Sequence, residues 1–147
     1  MASSETTAEP VAERTLLFRA GDRMFGCSID AVREIVPQRR ATRLPGAPPS
    51  IQGLINLRGT VITVVDLPLW LGAERPAASD GSIVLVDHGA RVAGVAVDEV
   101  LDVQVVASED VAGTVGDKDG AVRGMGRLGD TVVILLDITR LIRQALV

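Results

Sequence analysis

Few side chains in this sequence have both the type and the setting to do chemistry. Asp66, Asp98 and Asp137 are carboxylates that close apolar runs, His88 is the only histidine and Cys27 the only cysteine. With a single histidine, multi-histidine metal sites and Ser-His or Cys-His dyads built on several histidines have no parts to draw on. The three aspartates could in principle serve as acid and base. Each, however, stands where a strand ends and a turn begins, and capping the next turn or helix is a sufficient role. Gly124-Met125-Gly126-Arg127-Leu128-Gly129 matches the dinucleotide fingerprint letter for letter. That motif works where a strand feeds a helix N-terminus that can face pyrophosphate, and here an apolar strand, Thr131 to Leu136, follows instead. Gly116-Asp117-Lys118-Asp119-Gly120 lacks the further oxygen ligands and closing glutamate of a calcium loop and reads as a solvated turn. Arg58 is different. Between Asn56 and Gly59 at a hairpin bend, it offers a planar five-donor fork suited to a carboxylate or to backbone carbonyls. A partner, solvent and an internal ion pair with Glu34 are all open to it.

The elements that position these residues come in two copies. Gly26 to Ile35 is answered by Gly94 to Val103, and Gly53 to Leu67 by Gly124 to Ile138. The offset is about half the chain in both cases, which indicates a tandem duplication. In the first copy, strands are expected over residues 15–19, 23–29, 32–36, 51–57 and 60–65. In the second they are expected over 82–86, 91–97, 100–105, 122–128 and 131–136. Five short strands that bury one face tend to close into a small barrel. Leu67 to Leu71 reads as one helical turn, residues 72–81 as a surface link, and residues 138–146 as a short amphipathic helix. Thr42 to Ser50 is stiffened by proline, and Ala112 to Gly120 is rich in Gly and Asp. Met1 to about Arg14 is polar and reads as a loose tail, with no signal peptide. The resulting expectation is an all-β fold of two tandem five-stranded barrels, at about 15–71 and 82–137, followed by the helix. The copies differ most at one corner, Asn56-Leu57-Arg58-Gly59 against Arg127-Leu128-Gly129-Asp130.

Composition narrows the function. Apolar residues make up 47% and charged residues 23% of the 147, as in a globular protein. The net charge of −4 and the absence of Tyr, with only two Phe and one Trp, disfavour nucleic acid. No apolar run approaches the ~20 residues of a membrane span. The unpaired Cys27 gives no sign of an oxidising compartment, so the cytoplasm is the expected location.

Gly53-Leu54-Ile55-Asn56-Leu57-Arg58-Gly59, followed by Val64-Val65-Asp66-Leu67, resembles the central signature of the CheW-like coupling proteins of bacterial chemotaxis. Phe25 to Asp30 with Val32 to Ile35, Arg43 to Pro48, Gly94 to Val103 and Gly124 to Asp137 extend the resemblance in order along the chain. The resemblance implies two SH3-like barrels and a non-catalytic adaptor that uses no cofactor or metal. Its implied partners are the cytoplasmic tip of a chemoreceptor and the regulatory domain of a CheA-type histidine kinase, and receptor arrays would hold it near the membrane without insertion. It places Val32, Glu34, Gly53 and Arg58 at receptor-coupling positions, with Asn56 and Gly59 completing the corner and Val100 and Val103 on the matching strand of the second copy. Arg39-Arg40 and Cys27-Ser28 depart from the family pattern. The competing expectation, from the residues alone, is a small-ligand-binding or hydrolytic barrel built on the aspartates.

Overall fold

A computed structural model describes residues 11–109 and 120–146. Ten strands form in the order β1 (Val11–Ala20), β2 (Arg23–Ser28), β3 (Val32–Pro37), β4 (Ile51–Leu57), β5 (Thr60–Asp66), β6 (Ser82–His88), β7 (Arg91–Val97), β8 (Glu99–Glu109), β9 (Val122–Leu128) and β10 (Thr131–Leu136). The helix α1 (Leu67–Trp70) follows β5, and α2 (Ile138–Ala145) follows β10. The two five-stranded units and the short terminal helix agree with expectation.

The division into residues 15–71 and 82–137 does not survive. One closed barrel has the strand order β1-β2-β10-β9-β8, and the other sheet runs β3-β6-β7-β5-β4. Each hairpin has therefore left the three strands that follow it and joined those of the other copy. β1 lies antiparallel to β8, with Leu16 opposite Val103, as β3 lies antiparallel to β6, with Val36 opposite Ile83. The second strand of each hairpin completes the exchange by parallel pairing, β2 with β10 and β7 with β5. Link length accounts for this. β2 and β3 are joined by a 3-10 turn of three residues, Ile29–Ala31, capped by Ser28 Oγ accepting from Asp30 N–H. Such a turn rises about 2 Å per residue, or about 6 Å here. The far edge of β1 lies two strand spacings from β2, about 10 Å away. β8 takes that edge instead.

β1 also begins at Val11, so residues 11–14, expected in the tail, are strand. The reason is that β8 extends well beyond Val105 and offers a ladder to them, with Val11 opposite Ser108. The tail over residues 1–10 and the Gly- and Asp-rich segment up to residue 119 lie outside the described residues.

The swap creates three cores, and strand periodicity sorts residues among them. Leu17 and Leu135 point into the closed barrel, while Val64, Ile83 and Leu85 point into the other. Their neighbours Leu16, Phe18, Val65, Val84, Val86, Ile134 and Leu136 face outward into a shared core between the two sheets. There they meet Leu67 and Trp70 of α1 and Ile138, Leu141 and Ile142 of α2. Strands buried on both faces explain why β5, β6 and β10 read as continuous apolar runs rather than as alternating ones.

Candidate functional site

The corner singled out by the broken repeat is the hairpin joining β4 to β5. Leu57 pairs with Thr60, which leaves a two-residue turn, Arg58-Gly59. Their φ values of +52° and +86° are both left-handed, as a type I′ turn requires. Glycine adopts that conformation freely. Arg58 does so at a cost of about 1–2 kcal/mol, and it is the only non-glycine residue with positive φ among those described. Asn56 Oδ1 accepts from Gly59 N–H at 3.0 Å and braces the bend.

Thus placed, Arg58 reaches across the seam between β4 and β3 to Glu34. Nη1 donates to Oε1 at 3.3 Å, and Nη2 donates to Oε2, a two-pronged pair. Chiefly through this hydrogen bond, Arg58 holds the Glu34 carboxyl below the usual carboxylate range, and Glu34 raises the arginine in turn. The Arg58 side chain is still 68% exposed. The fork therefore answers the question left open by sequence, engaging Glu34 while keeping donors turned to solvent.

Gly53 does not belong to this corner. It lies buried on β4 with φ +134°, and a Cβ there would stand 2.1 Å from the carbonyl oxygen of Thr42. Thr42 crosses β4 at that point and exchanges two hydrogen bonds with Leu54, at 2.7 and 2.8 Å. Glycine is required by the crossing itself. Val32 on β3 of one sheet and Val100 and Val103 on β8 of the other all pack, partly buried, against the shared core. Ile35 and Leu101 beside them are each 40% exposed. β3 carries both Val32 and Glu34, so it links this apolar rim to the charged corner.

The aspartates are held by backbone. Asp66 is fully buried and accepts from Leu69 N–H, Ala77 N–H and Gln52 Nε2. Asp98 clasps Gly21 N–H at 2.6 Å and Ala78 N–H at 2.7 Å, joining a hairpin of one barrel to the link between copies. Asp137 caps α2 through Arg140 N–H. Capping describes Asp66 and Asp137, but Asp98 is an inter-element clasp that sequence reasoning missed. Glu13, expected in the tail, pairs instead with Arg123 at 2.6 Å. His88 ends β6 rather than occupying the turn, and of the fingerprint glycines Gly124 and Gly126 lie in β9 and Gly129 in the turn before β10. Burial pushes the Cys27 thiol up to about 12, which keeps it neutral and unreactive.

The model of the CheW-like domain family matches residues 14–146. The chain belongs to the CheW-like family. A chemotaxis protein CheW of Klebsiella aerogenes is 31% identical over 146 residues, covering 95% of this chain and 87% of the relative. Protein PilI of Pseudomonas aeruginosa is 35% identical over 88 residues, covering 59% of this chain and 49% of that protein. The crystal structure of the scaffolding protein TtCheW from Thermoanaerobacter tengcongensis superposes with a TM-score of 0.74 at 27% identity, covering 86% of this chain and 90% of that one. Membership of the CheW-like family together with a scaffolding neighbour indicates a non-catalytic adaptor of the chemotaxis type. No helix among the described residues is long and apolar enough to cross a membrane.

Proposed function

We propose that this chain is a cytoplasmic scaffold that couples the tip of a chemoreceptor to the regulatory domain of a CheA-type histidine kinase and acts by binding alone. The observation that carries this reading is an apolar rim drawn from both sheets, Val32, Val100 and Val103, joined through β3 to the Glu34–Arg58 pair. An amphipathic receptor helix would lay its apolar face on the rim and a polar flank against the corner, where Asn56 and Gly59 shape the bend. In this reading Gly53 contributes by letting Thr42 cross β4.

The test is kinase autophosphorylation in receptor-containing membranes. Arg58→Glu is expected to lower activation about tenfold, equivalent to about 1.4 kcal/mol of lost engagement, with an unchanged melting temperature. Full activation by the variant would remove Arg58 from the receptor site. The exchange Glu34→Arg with Arg58→Glu separates two cases: recovery means that the pair itself is what matters, and no recovery means that the partner reads the arginine.

The alternative of a ligand-binding or hydrolytic barrel rests on the aspartates. Their hydrogen bonds to backbone give them structural work. A small molecule or metal ion that raised the melting temperature by several degrees would revive it.

A further inference from the structure

The seam between β3 and β4 has a second end, away from Arg58. Gln38 N–H makes a last bond to Gly81 O at 3.0 Å on the β6 side, the chain then leaves that ladder, and Thr42 pairs with Leu54 of β4. A cleft of about 740 Å³ opens beside this detour, walled by Gln38, Arg39, Arg40, Arg43 and Gln52 among others. The chain as a whole carries −4, yet none of these arginines makes an ion pair among the described residues. Arg43 Nη1 is steadied by Ile51 O at 2.8 Å. The acid in the wall, Asp66, is buried and held by three internal donors.

We propose that this cleft docks an acidic peptide segment of a protein partner. Its carboxylates would sit on the arginine forks. The spread of the cleft decides between anions. One phosphate is small against about 740 Å³, whereas an extended peptide can set several carboxylates against three guanidinium groups. Nucleic acid is disfavoured by the net charge and by the scarcity of stacking side chains. The cleft lies toward the other end of β4 from Arg58, with Arg39 in its wall still near enough to Glu34 for its charge to be felt there.

The experiment titrates the full chain into a fluorescein-labelled ten-residue peptide of alternating Glu and Gly, followed by anisotropy at low salt. A peptide with Gln in place of Glu is the control. The Glu peptide is expected to bind at least tenfold more tightly than the Gln peptide. Arg39→Glu with Arg40→Glu is expected to weaken it at least tenfold, and Arg58→Glu less than twofold. If the double glutamate variant misfolds, Arg39→Gln with Arg40→Gln decides the matter, with an intermediate loss expected. Equal binding of the two peptides, or undiminished binding by the arginine variants, overturns the proposal. So does displacement by inorganic phosphate beyond that by chloride at matched ionic strength, or capture of the chain by anionic phosphatidylglycerol vesicles with no affinity for the peptide.

Discussion

The hairpin tips at Arg58-Gly59 and at Gly129-Asp130 hold equivalent places in two barrels of one design, and they have been put to different use. At the first, an arginine is held in a left-handed conformation and grips Glu34. At the second, glycine takes the left-handed position with φ +62°. Asp102, the counterpart of Glu34, turns to Val103 N–H and Gln104 Nε2 instead. A turn in which glycine would be easier keeps an arginine at one corner only. In the proposed reading, the first tip is shaped for a contact and the second for stability.

The largest way to break the comparison lies one strand in. Gly53→Ala drives a methyl group into Thr42 O and imposes a left-handed φ, and is expected to cost about 3 kcal/mol in denaturant unfolding. A loss under 1 kcal/mol would show that the Thr42 crossing yields easily and that the first barrel is no more constrained than the second. Exchanging the tips comes next. Arg58→Gly should leave stability unchanged or raise it by about 1 kcal/mol, because relief of backbone strain offsets an exposed ion pair worth little. Gly129→Arg should lower stability by a similar amount, since it imports the strain without a glutamate to grip. Equal effects at the two tips would deny that Arg58 is strained.

Smaller effects appear with pH. Glu34 has its folded pKa lowered by Arg58, so the pair's contribution is present above the carboxyl's unfolded range and is lost as pH falls through the lowered value. Wild type and Glu34→Gln should therefore converge in stability in acid. In the repeat, Cys27 answers to Val95, and both are fully buried. The raised thiol pKa favours the neutral folded form, so wild type should lose stability relative to Cys27→Val from about pH 9 toward about 12, where the unfolded thiol ionises first. Parallel melting curves across that range would place Cys27 in contact with solvent.

Most of the strands could be read from the sequence, because apolar runs broken by Gly-Asp and Arg-Gly turns mark them out. Their partners could not. Two near copies of one unit present nearly the same edges, so local patterning does not distinguish pairing within a copy from pairing between copies. The choice falls to the reach of a three-residue turn, which only the built chain displays. Arg58 was legible from the disagreement of the two corners, and Glu34 as one of its possible partners. The role of Gly53 was hidden because it depends on a carbonyl eleven positions earlier in the chain, at Thr42. The basic cleft was half visible: Arg39-Arg40 departs from the family pattern, while the fold alone brings Arg43 and Gln52 to the same cleft.

The exchange of hairpins also governs how the molecule comes into being. Arg19 finds Glu99 across 80 positions of chain, and β2 must wait for β10, near the very end. The β3-β6-β7-β5-β4 sheet has all its strands once β7 is made, but the closed barrel holds only β1 and β2 until β8, β9 and β10 emerge. Contacts so distant in sequence make for slow folding. A chain severed in the link between the copies would yield two pieces, each holding a hairpin and three strands that belong to different barrels. Only by recombining could they restore either one.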